Sequence, residues 1–348
     1  MKKLFFLIIA FYTIANGYSQ TSEEFYKRGI IKDSLRDYKG AIADYTKAID
    51  IDGKYIDAYY KRGVARSAFI YIDNSSFKIL DLQGAIADFT AVIEINPNHK
   101  TTYYLRGRAK LDFTEDYEGA ILDFTKAIEL DPNKVIIYQW RGWSKYKLQD
   151  YSGAITDYDK AIEIDANESN NYYHRGMAKN ELKDYKGAIA DFNKAIELDP
   201  SDDGSYYNRG ISKCKLQDFR GAIADYTKSL GLNPDEISTY FERGAAKYSL
   251  EDYRGAISDF TTVIRIDPNN DAAYNNRGNA KHILKDYQGA IEDYTKSIKI
   301  NSKYAGAYFN RGRAKIKLKQ KNSGCLDLSK AGELGNDDAY QAIKDLCN

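Results

Sequence analysis

The chain has 348 residues, with 51 Lys plus Arg against 50 Asp plus Glu, a net charge of +1. That balance lacks the basic excess by which a protein grips nucleic acid, so no nucleic-acid partner is expected. Five prolines beside 31 tyrosines favour helices over a sheet protein punctuated by Pro and Gly.

At the N-terminus, Lys2 and Lys3 precede an apolar run from Leu4 to Ala15. The run is shorter than the roughly 20 residues that cross a bilayer. Ala15 and Gly17 are the small residues that a cut after Gly17 requires, and a cut after Ser19 fits as well. Residues 1–19 therefore read as a signal peptide. The mature chain is expected to be exported, periplasmic or extracellular, with no membrane span. The first cysteine is Cys214, so nothing near the cut could carry a lipoprotein anchor.

From Ser22 onward one motif recurs nine times. Arg-Gly stands at Arg28, Arg62, Arg106, Arg141, Arg175, Arg209, Arg243, Arg277 and Arg311, with spacings of 34, 44, 35 and then 34 throughout. Eight of the nine repeats carry a Gly-Ala-Ile further on, as at Gly187-Ala188-Ile189. All five prolines (Pro97, Pro132, Pro200, Pro234 and Pro268) share one register. Repeats begin near residues 22, 56, 100, 135, 169, 203, 237, 271 and 305. Numbering Ser169 to Asp202 from 1 to 34, Tyr172, Gly176 and Lys179 form one stripe of a first helix at positions 4, 8 and 11. Ala188, Phe192 and Ala195 form the stripe of a second helix at 20, 24 and 27. Neither helix buries its face alone, so stacked neighbours must share a core. Repeat two carries about ten extra residues between its helices, around Phe69 to Leu80. Repeat nine is degenerate, with Gly324-Cys325-Leu326 and no proline, which suits a terminal cap.

Aromatic 4, Gly 8, Ala 20, aromatic 24, Ala 27 and Pro 32 on a 34-residue period resemble the tetratricopeptide repeat family. The resemblance covers residues 22–338. It implies an all-α, right-handed superhelical solenoid of nine helix-turn-helix repeats, closed by a C-terminal capping helix over 339–348. It further implies that the first helices line a concave groove for a partner peptide or helix. Two positions depart from the family pattern: 7 is always Arg, and 11 is always Lys or Arg.

Position 7 lies about 60° off the stripe of the first helix, and Asp at position 23 lies about 60° off the stripe of the second. In an antiparallel pair these flanks face one another. Arg175 is therefore expected to pair with Asp191, Arg209 with Asp225, and likewise in the other repeats, as partly buried ion pairs. Cys325 and Cys347 lie eleven residues either side of Asn336. Equal arms of a helix hairpin bring the two to one height, so a disulfide is expected to fasten the cap. Cys214 is left as a packing residue.

Little points to chemistry. His99, His174 and His282 fall in different repeats, and none has a partner at metal-ligand spacing. No catalytic set, metal or cofactor is expected, and the leading reading is a non-catalytic protein-binding scaffold of the cell envelope. A glycan-binding groove and a regulatory subunit of an envelope enzyme are the alternatives.

Some grooves of the family clamp a C-terminal carboxylate with Lys at positions 2 and 5 and Asn at 6 and 9. Here position 5 is never Lys, and Asn279 with Asn310 is the nearest approach. No such clamp is expected. Positions 2, 5, 6, 9 and 12 form the first-helix face turned from the stripe. In repeat four that face holds both tryptophans, Trp140 and Trp143, with Tyr146. Tyr104 and Leu105 extend the patch on one side, and Tyr173, His174 and Met177 on the other. Interfaces concentrate binding energy in such aromatics, so these eight residues are the expected partner site.

Overall fold

The structure is a computed structural model that describes residues 20–72 and 78–347. The expected signal peptide, 1–19, and the middle of the repeat-two insertion, 73–77, lie outside the described residues. The chain divides into two compact units, Met1–Ala166 and Asn167–Asn348.

The first unit holds four helix hairpins: α1 (Ser22–Ser34) with α2 (Tyr38–Ile51), α3 (Ile56–Ile72) with α4 (Lys78–Ile95), α5 (Lys100–Thr114) with α6 (Tyr117–Leu130), and α7 (Val135–Lys147) with α8 (Tyr151–Ile164). The second holds five: α9 (Ser169–Glu181) with α10 (Tyr185–Leu198), α11 (Asp203–Lys215) with α12 (Phe219–Leu232), α13 (Ile237–Ser249) with α14 (Tyr253–Ile266), α15 (Asp271–Ile283) with α16 (Tyr287–Ile300), and α17 (Ala305–Lys317) with α18 (Lys321–Glu333). A single helix, α19 (Asp338–Cys347), follows. No strand occurs among the described residues. The described residues thus form the expected all-α arrangement of nine hairpins and a closing helix.

Local signals set these boundaries. Thr21 caps α1 by accepting from the Glu24 amide at 3.2 Å, while the Glu24 carboxylate accepts from the Thr21 amide at 3.0 Å. Seven second helices start at an Asp (37, 116, 150, 184, 218, 252 and 286) whose carboxylate accepts from a glycine amide three residues on, at 2.9–3.0 Å. A Cβ on Gly119 would collide with Asp116 Oδ2, so a larger residue there must displace the capping carboxylate from this position. Second helices end in an extended residue ahead of the proline, as at Asp199 (φ −133°, ψ 91°). Asp165, with no proline behind it, adopts the same geometry (φ −139°, ψ 104°), so proline reinforces a stop that the sequence already makes.

The core is shared between each hairpin and the first helix of the next repeat, as where Ala222 and Tyr226 cluster with Ala246. Tyr45, Phe124, Phe192, Tyr226, Phe260 and Tyr294, all at position 24, are buried against the glycine at position 8 of the same repeat. A Cβ on Gly278 would stand 2.7 Å from Tyr294 Cε1, so the missing side chain sets how closely the two helices approach.

Candidate functional site

Each hairpin carries an ionic cluster at its flank. The position-7 arginine grips the position-23 aspartate of its own repeat with Nη2 at 2.5–2.7 Å in all nine repeats. For Arg175 and Asp191, Nε adds a second bond at 2.9 Å; for Arg209 and Asp225 the second bond is also 2.9 Å. Position 11, which the sequence pattern puts on the core stripe, instead sends its ammonium or guanidinium to the same carboxylate at 2.7–2.8 Å. A long side chain rooted on the stripe can reach over the flank, which a helical angle alone does not reveal.

The arginine also works between repeats. Its Nη1 donates to a side-chain oxygen of the preceding repeat: Arg62 to Thr46, Arg106 to Thr90 and Arg141 to Thr125 in the first unit, at 3.0–3.1 Å. Arg243 to Thr227, Arg277 to Thr261 and Arg311 to Thr295 follow in the second, at 3.1–3.2 Å. Each guanidinium lies 4.8–5.8 Å over the ring at position 4. These groups are occupied by the fold itself.

The expected partner residues divide between the two units. In the first, Tyr104 packs on Phe124 with ring centres 6.2 Å apart, and Leu105 packs on Ala85, Phe89 and Ala109. Trp143 and Tyr146 stack at 5.6 Å with planes 8° apart. Trp140 corrects an expectation. Its helical angle points it furthest from the core, yet it is half-buried and packs on the cluster around Phe124 and Ile137. The Arg108 guanidinium covers its ring at 3.6 Å, and its Nε1 is buried without a hydrogen-bond partner. The cause is the neighbouring first helix: α5 touches α7, so position 9 of one repeat meets position 6 of the next.

In the second unit, Tyr173 packs on Phe192 at 6.1 Å, and its hydroxyl accepts from Asn208 Nδ2 at 3.3 Å. His174 stands edge-on to Tyr173 at 5.1 Å. Burial lowers its pKa to about 4 against the opposing pull of Asp202, so the ring is neutral at pH 7. Met177 is half-buried beside them on the same helix.

Cys325 and Cys347 form a disulfide with Cα atoms 5.9 Å apart, joining α18 to α19. Cys214 is half-buried next to the Tyr226 hydroxyl, and burial pushes its thiol pKa up. The glycan alternative finds no support: one face of Trp140 is taken by Arg108 and one face of Trp143 by Tyr146. Among the described residues, no His, Cys, Asp or Glu group is arranged to hold a metal ion.

Sequence profiles described as tetratricopeptide repeat match residues 170–202, 272–304, 101–134, 135–168 and 237–270, and one described as TPR repeat matches 34–67. Together they span 202 of the 348 residues. The chain belongs to the tetratricopeptide repeat family. Tetratricopeptide repeats generally mediate protein–protein interactions, and the fold is typically a non-catalytic scaffold. No curated protein matches the sequence significantly.

Similar solved structures include the C-terminal part of a TPR repeat-containing protein from Cytophaga hutchinsonii, at 20% identity and TM-score 0.60, over 69% of this chain and 99% of that one. A tetratricopeptide repeat protein from Parabacteroides merdae ATCC 43184 matches at 20% identity and TM-score 0.52, over 71% and 97%. A chain of the APC/C hetero-tetramer Cut9-Hcn1 matches at 16% identity and TM-score 0.51, over 96% and 78%. At these identities the likeness is one of fold.

Proposed function

We propose that this tetratricopeptide repeat protein is an exported, non-catalytic scaffold of the cell envelope that holds a partner peptide or helix along the 2, 5, 6, 9 and 12 face of its first helices. The observation that carries this reading is where the repeats differ. Positions 7 and 23 are the same in every repeat, position 11 is always Lys or Arg, and all three are engaged in internal bonds. Position 9 instead runs Ile30, Val64, Arg108, Trp143, Met177, Ile211, Ala245, Asn279, Arg313. A face that only packed would repeat with the rest of the scaffold. A different side chain in each register offers an extended partner a series of distinct contacts.

In the first unit the aromatic stretch from Tyr104 and Leu105 to Trp143 and Tyr146 supplies the apolar contacts. Tyr173, His174 and Met177 occupy the matching positions in the second. Export is supported by the N-terminal pattern of residues 1–19 and by the disulfide, since disulfides persist in oxidising compartments. Among the described residues no helix is long and apolar enough to cross a membrane.

Photo-crosslinking in intact envelopes tests the assignment. A crosslinker placed at Trp143 or Met177 is expected to capture a partner. One placed at the exposed second-helix residues Lys160 or Glu197 is expected not to. Equal yields from both faces would refute the first-helix face as the binding surface.

A further inference from the structure

Repeats seven to nine carry a cleft that the aromatic patch does not include. A cavity of about 220 Å³ is lined by Tyr248 of α13, Asn279 and His282 of α15, Tyr294 of α16, and Asn310 and Arg313 of α17. A second, of about 170 Å³, shares Tyr248 and Asn279 and has Phe260 and Ala245 in its wall. Drug-sized ligand pockets run to about 300–1,000 Å³, so the first cavity has room for one side chain and not for a whole small molecule.

The cleft carries one positive charge, that of Arg313. Each position-7 arginine and position-11 cation is paired with a buried aspartate, whereas Arg313 is exposed and no ion pair involves it among the described residues. The contrast with Arg108, also at position 9, explains why. Arg108 is held by Asp112 four residues on, at 3.0 Å, and is covered by Trp140 of the next repeat. In repeat nine the residue four on is Lys317, and the ring beside the guanidinium is Phe309 of its own helix, 5.5 Å away.

The remaining polar groups suit the same ligand. Asn279 Oδ1 accepts from the Tyr294 hydroxyl at 2.9 Å, which leaves its Nδ2 hydrogens to donate into the cleft. Asn310 is anchored through Nδ2 to Asn275 Oδ1 at 3.2 Å. The pKa of His282 is lowered by burial and by the positive charges of Arg313 and Lys317, so at neutral pH it adds no charge of its own.

We infer that this cleft is a carboxylate-binding subsite that takes the Asp or Glu side chain of an extended partner peptide, with the Arg313 guanidinium as counter-ion and Asn279 as second donor. The inference rests on the first-helix face being the partner surface, and it adds the chemistry of one contact. A planar fork matches a carboxylate with paired, charge-assisted bonds. The acid is assigned to a side chain and not to a chain end, because a second cavity adjoins this one and shares Tyr248 and Asn279 with it. Position 5 also provides no lysine to complete a terminal clamp.

The test uses the full mature chain on an array of hexapeptides, N-acetylated and C-amidated. The central residue is Glu, Asp, Gln, Asn or Lys, and the flanks are drawn from Ala, Leu, Ser and Tyr. Glu and Asp peptides should bind at least about tenfold more tightly than their amide isosteres. The gap should close in Arg313→Ala and turn towards Lys peptides in Arg313→Glu, with helical circular dichroism unchanged in both.

Equal binding of Glu and Gln peptides, or a gap that survives Arg313→Ala, overturns the subsite while leaving the scaffold reading intact. So does acid preference that appears only in peptides with a free C-terminus. Failure to bind any peptide, together with absence of crosslinks at Trp143 and Met177, overturns both.

Discussion

Replacing Asp259 by Asn keeps the shape of the side chain and removes its charge. Asp259 is 3% exposed, and it accepts from Arg243 Nε at 3.0 Å, Arg243 Nη2 at 2.7 Å and Lys247 Nζ at 2.8 Å. Without the carboxylate, two cations a few ångströms apart face each other. At an effective dielectric constant of about 20 their repulsion is on the order of 3–4 kcal/mol. Removing one partner of a buried pair costs about 3–5 kcal/mol. The side chains of Arg243 and Lys247 are 15% and 19% exposed, so both can lean towards water. The expected loss is therefore near the lower end, about 3 kcal/mol.

Asp44→Asn should cost less, about 1–2 kcal/mol, because the Arg28 side chain beside it is already 38% exposed. Urea unfolding followed by circular dichroism gives the total. Hydrogen exchange should place the loss in α13, α14 and the hairpins beside them, since a linear array propagates destabilisation only through neighbours. Asp259→Leu combined with Arg243→Met and Lys247→Met should recover most of it. A cost for Asp259→Asn below about 1 kcal/mol, or one equal to that of Asp44→Asn, would refute the buried-cluster account.

Three other outcomes follow from the same geometry. Gly231→Ala, with no atom within 4 Å of the new Cβ, should stabilise α12 by about 0.8–1 kcal/mol. Gly210→Ala, whose Cβ would meet Tyr226 Cε1 at 2.6 Å, should destabilise by about 1–3 kcal/mol; matching signs in thermal melts would contradict the packing. Cys325→Ser with Cys347→Ser opens a loop spanning 22 residues and should weaken the attachment of α19 by about 3 kcal/mol, read as faster hydrogen exchange in that helix alone. The pKa of Asp44 is held at about 2, chiefly by its bond to Arg28 and further by Lys32, against the opposing effect of burial. This lies below its unfolded value of about 3.9, so its contribution is complete above about pH 4 and is lost as pH falls through about 2. Exchange in α1 and α2 should rise across that window in the native chain and less in Asp44→Asn; identical acid profiles would count against the assignment.

Much of the architecture was legible because it is local. The helix starts depend on an aspartate and a glycine three residues apart, as at Asp184 and Gly187, and the close approach inside a hairpin depends on Gly176 and Phe192. Both signals lie within one 34-residue period and recur in register, so reading any one repeat gives the others. The Cys325–Cys347 bond belongs to the same class, because equal arms about a turn set the height of each residue whatever surrounds the hairpin.

What tertiary structure alone decided is which neighbour each outward side chain meets. A helical angle places Trp140 away from its own hairpin, but the first helix of the preceding repeat stands there and brings Arg108 over the ring. The same adjacency sends the Arg62 guanidinium to Thr46 of the preceding repeat and joins three first helices around Arg313. The physical reason is that periodicity specifies direction within one helix, whereas burial and pairing depend on what fills the space beside it. In a stacked array that space belongs to a residue some 34 positions away, chosen by how the hairpins pack and not by the local code.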